Sequence, residues 1–214
     1  MEKSIHEIRY AKLGPALVKA LEARHFEAWY FGDIPEAVEK VFALIPRDHV
    51  IAWGGSATAK AMDLYGEADR RGYALINRDA AKSPEEKVDL MRRALLCDTF
   101  LMSTNALSED GQLVNIDGVG NRIAALCYGP RQVIIVTGIN KTAQTLDEAV
   151  ARARHTAAPL NVQRFPSHQT PCAVNGRCGD CKSPDSVCSH IVITRLCKPA
   201  GRIKVIIVGK ELGF

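Results

Sequence analysis

The stretch His49-Val-Ile-Ala-Trp-Gly-Gly-Ser-Ala-Thr58 joins a compact apolar run to two glycines and two hydroxyl residues. A short apolar run bounded by turn residues is typical of a buried strand. The small residues after it predict a tight turn, and residues 57–66 continue as a helical pattern. A strand, a glycine turn and a helix in this order are the repeating unit of α/β proteins.

The same alternation continues on both sides of this stretch. Further strands are predicted at residues 26–31, 72–76, 99–103, 112–116, 132–137 and 202–208. Helices are predicted at residues 15–25, 34–44, 84–96 and 145–155, with Gly14-Pro15 as the start of the first or a break in a longer one. Residues 120–126 begin either a helix or an irregular segment. We therefore predict one α/β domain over residues 1–214, with a mostly parallel sheet flanked by helices.

The composition indicates a globular protein with a mildly basic surface. Lys and Arg number 28 against 24 Asp and Glu, which gives a formal net charge of +4, and no cluster of basic residues is present. A nucleic-acid-binding surface needs such a cluster, so a small anionic metabolite is the better-matched partner. No signal peptide or membrane-spanning run is visible, and we expect a cytoplasmic protein. An oligomer is compatible with these features.

Five of the seven cysteines fall within residues 172–197, inside a segment (165–200) rich in Pro, Ser, Gly and Asn. The spacing Cys172-x5-Cys178-x2-Cys181-x6-Cys188 predicts a four-thiolate metal site within the domain, because a Cys-x2-Cys turn lets two thiolates face one metal. Cys197 is either a substitute ligand or a core residue, and we favour the core. The isolated Cys97 and Cys127 are expected to be buried core thiols.

The metal itself is left open between iron and zinc. Zinc ribbons usually pair two Cys-x2-Cys units, whereas only one is present here. A single unit with widely spaced outer cysteines favours an iron–sulfur cluster, and a 4Fe-4S cluster is our first expectation. His168 and His190 keep mixed Cys/His zinc ligation as the alternative. Unrelated thiols remain the third possibility.

Two glycine loops are candidates for binding the anion. In the first loop, Gly54 and Gly55 would let backbone N–H groups approach the ligand, with the Ser56 and Thr58 hydroxyls as additional donors. The second loop, residues 115–122, places Asp117, Asn121 and Arg122 beside two glycines after a predicted strand. Arg122 is suited to bind a carboxylate bidentately, and Asp117 to act as a base. The ordinary alternatives are a packing turn and a surface Asp-Gly turn.

Several motifs together resemble the LUD (lactate utilisation) domain family. They are the strings at residues 54–58, 108–122 and 138–141, with Gly129-Pro130 before the strand at residues 132–137, and the cysteine tail resembles the cysteine-bearing branch of the family. The resemblance implies a fold similar to ribose-5-phosphate isomerases and CoA transferases, with the ligand cleft at the two glycine loops. It also implies an association with oxidation of L-lactate to pyruvate, alongside iron–sulfur partner proteins. Within these motifs, Lys141 is a further expected substrate-binding residue, and Glu109 shares the proposed proton transfer with Asp117.

Three functions are compatible with this sequence. The first is an iron–sulfur protein of small-carboxylate metabolism whose cluster lies beside the cleft, and an oxidoreductase component acting on a 2-hydroxy acid belongs to this class. The second is a non-redox isomerase or acyl transferase of the same fold with a structural zinc. The third is a binding module that senses a metabolite or redox state. The nucleotide-binding patterns Gly-x-x-x-x-Gly-Lys-Ser/Thr and Gly-x-Gly-x-x-Gly are absent.

Overall fold

The computed structural model describes residues 4–214. Its helices are α1 Ile5–Glu22, α2 Ile34–Ala43, α3 Ala57–Ala61, α4 Leu64–Arg70, α5 Pro84–Arg93, α6 Asn121–Cys127, α7 Leu146–Arg152, α8 Ala158–Val162 and α9 Pro171–Asn175. Its strands are β1 Glu27–Phe31, β2 Val50–Trp53, β3 Ala74–Ile76, β4 Thr99–Met102, β5 Ala106–Ser108, β6 Leu113–Asp117, β7 Gln132–Gly138, β8 Thr142–Ala143, β9 His190–Thr194 and β10 Ile203–Val208. A π-helical turn, Ala153–Ala157, joins α7 to α8.

The central sheet has six strands, all parallel, in the order β1-β10-β7-β4-β2-β3. The middle strand β7 is buried along its whole length, as expected of a parallel sheet covered on both faces. Separate apolar clusters pack on the two faces, one around Phe100 and Leu107 and the other around Trp53 and Val41. The predicted α/β class, with a mostly parallel sheet between helices, is confirmed.

A second, smaller sheet was not predicted from the sequence. It has the order β8-β5-β6-β9, and β9 pairs antiparallel with β6 so that Asp117 lies opposite His190. Strands β5 and β8 are only three and two residues long, too short for a recognisable pattern. This sheet attaches the cysteine-rich segment to the rest of the domain, because β9 begins two residues after Cys188.

Most helices begin where the sequence signals placed them. Asp33 accepts a hydrogen bond from the Glu36 amide at the start of α2, and Ser83 accepts one from the Glu86 amide at the start of α5. The first helix is the longer of the two alternatives, because it runs through Pro15.

Two local predictions were wrong. The predicted helix at residues 57–66 is interrupted, since Asp63 takes a left-handed conformation between α3 and α4. Cys127 is exposed, because it ends α6 on the side facing solvent, whereas Cys97 is buried as expected. Among the helices of residues 4–214, none has the length and apolar character that a membrane-spanning helix needs.

Candidate functional site

A polar cleft opens at the carboxyl ends of β2, β4 and β7, where open parallel sheets commonly bind ligands. Its walls come from residues 55–57 after β2, residues 103–105 after β4, and the side chains of Arg122, Lys141 and Arg164. Parallel strands end at the same edge of a sheet, so these segments meet although they are far apart in the chain. The cleft contains four of the residues predicted to bind substrate, namely Gly55, Ser56, Arg122 and Lys141.

The guanidinium of Arg122 is held in place by the second glycine loop. Its Nη2 atom donates to the Ile116 carbonyl at 2.6 Å and to Asp117 Oδ1 at 3.3 Å. The other carboxylate oxygen, Asp117 Oδ2, accepts hydrogen bonds from the backbone amides of Arg122 at 2.8 Å and Ile123 at 3.3 Å. Both oxygens of the buried Asp117 carboxylate are thus hydrogen-bonded to the start of α6 or to the Arg122 side chain. This geometry favours a positioning role for Asp117 over the proton transfer predicted from the sequence.

Gly54 makes room for the Arg122 side chain. A Cβ atom on Gly54 would lie 2.2 Å from Arg122 Cγ and 2.6 Å from its Cδ, far inside van der Waals contact. A Cβ atom on Gly55 would meet nothing closer than Arg78 Nη2 at 3.7 Å. Gly54 is therefore required for packing under Arg122, while Gly55 faces the cleft directly.

The amino group of Lys141 is buried at the wall of the cleft. Its Nζ donates to Thr58 Oγ1 at 2.8 Å, Ser103 Oγ at 3.1 Å and the Thr104 carbonyl at 3.2 Å. Within residues 4–214, no carboxylate forms an ion pair with Lys141. Burial, together with the nearby charges of Arg152 and Arg122, lowers the pKa of Lys141 to about 7.

The cleft is strongly positive. Three cationic side chains line it, and none of its lining residues is acidic. Arg164 is hydrogen-bonded through Nη1 only to the neutral Asn161 amide oxygen, at 3.3 Å, and so keeps its charge available. The sequence contained no signal for Arg164, which follows α8. The polar triplet at residues 103–105 directly follows a predicted buried strand, and this position could have marked it as part of the site.

Three of the predicted site residues lie away from the cleft wall. The Thr58 hydroxyl is fully buried behind Lys141 and donates to the Leu212 carbonyl, and Asn121 does not line the cleft. Glu109 lies at the opposite end of β6 from Asp117, a separation of roughly 16 Å along a five-residue strand. The structure therefore does not bring Glu109 together with Asp117.

The four cysteines of the predicted metal site lie near one another, with Cys172 buried and the others half-buried. Cys172 is in α9, the other three are half-buried in irregular backbone, and none of the four forms a disulfide. Burial, together with the charges of Cys172, Cys178 and Cys181, raises the pKa of the Cys188 thiol to about 11. All four thiols are thus close enough to interact electrostatically.

The four thiols lie near one another but do not form a complete set of metal ligands. Over residues 4–214, no group of three or more His, Cys, Asp or Glu side chains is arranged to hold a metal ion. Cys197 is apart from them in the main core, where its Sγ accepts a hydrogen bond from the Ile203 amide at 3.2 Å. The chemistry of the donor set nevertheless suits a thiophilic metal, because four free thiols share one irregular segment.

The cysteine segment borders the loop that holds Arg122. A Cβ atom on Gly118 would lie 3.5 Å from the Ser186 carbonyl oxygen and from Val187 Cα, which places residues 186–187 against this loop. On the other side, Gln163 Nε2 donates to the Cys172 carbonyl at 2.8 Å, one residue before Arg164. The cleft and the cysteine segment are therefore neighbours.

Comparison with known proteins identifies the family. A family model described as the LUD domain matches residues 15–208, which include the four clustered cysteines. The chain belongs to the LUD domain family. A solved LUD-type structure with a similar fold is the crystal structure of a DUF162 family protein from Deinococcus radiodurans. It has a TM-score of 0.54 and 15% identity, covering 93% of this chain and 98% of that one. No curated protein matches this chain significantly.

Proposed function

We propose that this LUD domain protein binds a small carboxylate metabolite in the cleft and contributes to lactate-related oxidation through an iron–sulfur cluster on the cysteine segment. The observation that carries the proposal is the cleft lined by Arg122, Lys141 and Arg164 without an acidic residue. Within residues 4–214, neither the buried Lys141 nor the exposed Arg164 has a carboxylate partner, so an anion that enters the cleft would supply the missing counter-charge. The family name associates the domain with lactate utilisation, which makes L-lactate and pyruvate the first ligands to test.

The arrangement of donors suits a 2-hydroxy or 2-oxo acid. A carboxylate can receive charge-assisted hydrogen bonds from Arg122, whose orientation is already fixed by Ile116 and Asp117. The neutral polar groups of Ser56 and Asn105 also line the cleft and can bind the neighbouring hydroxyl or oxo oxygen. We infer that the ligand is small, since basic and polar side chains from several elements surround the cleft and limit its size.

The cysteine segment would hold the cluster through Cys172, Cys178, Cys181 and Cys188. A bound iron–sulfur cluster supplies one-electron transfer, which would connect the cleft to iron–sulfur partner proteins. The protein's own contribution is to keep this segment beside the Arg122 loop, through the pairing of β9 with β6. Arg154 lies close enough to lower the pKa of Cys188 and forms an ion pair with Asp180 in the same segment. Its charge would offset part of the negative charge of four thiolates.

Calorimetric titration tests the carboxylate site. L-lactate, pyruvate and oxalate should bind, whereas lactamide, the neutral analogue of lactate, should not. Replacing Arg164 with Met should weaken oxalate binding by about tenfold or more, because one charge-assisted hydrogen bond contributes about 1.5–3 kcal/mol. Equal affinity for lactate and lactamide would contradict the proposal of an anion site.

Metal analysis of anaerobically purified protein tests the cluster separately. We expect a brown protein with visible absorbance, acid-labile sulfide and about four iron atoms per chain. Stoichiometric zinc without sulfide would instead assign the thiols a structural role and would favour a non-redox enzyme of the same fold.

A further inference from the structure

The environment of Lys141 is unusual for a lysine. Its side chain is only 3% exposed, and the three atoms that accept its hydrogen bonds are two hydroxyl oxygens and one carbonyl oxygen, all neutral. A buried ammonium group is normally paired with a carboxylate, because burial without a counter-charge disfavours the charged form. In the described part of the chain, no such partner is bound to Lys141.

The groups in contact with the Lys141 amino group carry no negative charge. Thr58 from α3, Ser103 and Thr104 after β4, and Gly213 after β10 are all neutral. The charged groups that act on Lys141 are Arg152 of α7 and Arg122 of α6, and both repel its ammonium form.

The Asp117 carboxylate is paired with Arg122 and not with Lys141. It also accepts hydrogen bonds from backbone amides of α6. Lys141 also forms part of the lining of the open cleft, so an anion in the cleft can supply the missing counter-charge.

We propose that an anion enters this cleft together with a proton, which Lys141 takes up, so that the bound state contains the lysine ammonium and the ligand carboxylate. The proposal rests on the carboxylate site described above and adds a proton to its binding equilibrium. The preferred ligands are then small, fully ionised carboxylates, because a neutral ligand gives no compensation for the buried ammonium. By linkage, binding must weaken as the pH rises and the free protein loses this proton.

The size of the effect follows from the titration of the free protein. Since the pKa of Lys141 is lowered to about 7, the free amine predominates above neutral pH. If only the ammonium form binds, affinity falls about tenfold per pH unit above about pH 7, or about a hundredfold between about pH 6 and about pH 9. Oxalate is a suitable probe, because both of its carboxyl groups are ionised throughout this range.

The experiment is calorimetric titration of the full chain with oxalate in buffers of different ionisation enthalpy. The slope of the observed enthalpy against the buffer enthalpy gives the number of protons taken up. We expect about one proton per bound oxalate at about pH 8 and almost none at about pH 6. Because this measurement uses the unmodified protein, it decides the proposal even if a variant fails to fold.

Two variants assign the proton to Lys141. Lys141→Arg keeps the charge but does not titrate in this range, so it should bind oxalate without proton uptake. His190→Gln should retain the uptake, although the His190 imidazole lies beside the Arg122 loop. Binding without proton uptake by the unmodified protein, or uptake that persists in Lys141→Arg, would overturn the proposal. Failure of oxalate to bind at any pH would overturn the carboxylate site as well.

Discussion

Replacing Gly54 with Ala should disable the cleft while leaving the fold intact. The new methyl group would lie 2.2 Å from Arg122 Cγ, so the Arg122 side chain must move away from β2. That movement breaks the 2.6 Å hydrogen bond from Arg122 Nη2 to the Ile116 carbonyl and the contact with Asp117. The side chain is flexible, so we expect it to give way before the backbone does.

The magnitude follows from the lost contacts. One charge-assisted hydrogen bond to a ligand carboxylate contributes about 1.5–3 kcal/mol, so a displaced Arg122 should weaken oxalate binding by about ten- to a hundredfold. The free energy of unfolding should fall by only about 1–2 kcal/mol, the cost of the lost internal hydrogen bond and local strain.

The matched control is Gly32→Ala, directly after β1 and outside the cleft lining. Its methyl group would have no atom within 4 Å and so leaves Arg122 in place. Calorimetry with oxalate and thermal unfolding should be measured for both variants. If Gly54→Ala binds oxalate as tightly as the Gly32→Ala control, the idea that Arg122 must lie over Gly54 to bind the anion is wrong.

Three further predictions concern the cysteine segment, Lys141 and Arg24. Elemental analysis should find no stoichiometric metal in Cys178→Ser or in Cys181→Ser, whereas Cys97→Ser should retain the metal. Full metal content in both Cys178→Ser and Cys181→Ser would show that these cysteines are not metal ligands. Lys141→Met should stabilise the protein more at about pH 6 than at about pH 10, with a difference of up to about 5 kcal/mol in the free energy of unfolding. The lowered pKa of Lys141 destabilises the folded state fully below about pH 7. This destabilisation decreases as the pH rises toward the pKa of the lysine in the unfolded chain. A stability difference independent of pH in denaturant titrations would show that Lys141 is not destabilised by its burial. Arg24→Met should lower the free energy of unfolding by about 1–2 kcal/mol without changing oxalate affinity. Arg24 follows α1 and joins it to the turn after β5 through Asp110, away from the cleft. Weaker oxalate binding by a fully folded variant would contradict this placement.

The central sheet was predictable because its strands are short apolar runs bounded by turn residues. The stretch at residues 49–58 is the clearest example, since both its strand and its turn were found where expected. The strand at His190–Thr194 was missed although residues 191–194, Ile-Val-Ile-Thr, are all β-branched and so favour a strand. The surrounding Cys, Pro and Ser residues indicated an irregular segment, and pairing with β6 is a long-range contact that local composition does not encode.

The site was only partly predictable for a related reason. Arg122 and Asp117 are neighbours in the sequence and remain neighbours in space, so the second glycine loop could be recognised. Glu109 belongs to the same sequence motif but is separated from Asp117 by the length of β6, because an extended strand carries its two ends far apart. The contact between Lys141 and Thr58 spans 83 residues and depends on how the strands are ordered in the sheet.

The most direct test of the account is a crystal structure of the protein soaked with oxalate. We predict density for one oxalate in the cleft, with a carboxylate group hydrogen-bonded to the Arg122 guanidinium and close to the Lys141 ammonium and Arg164. The same crystal of the Gly54→Ala variant should show Arg122 displaced and weaker ligand density. Oxalate bound elsewhere on the surface, with the cleft between Arg122 and Lys141 left to solvent, would contradict the assignment of this cleft as the carboxylate site.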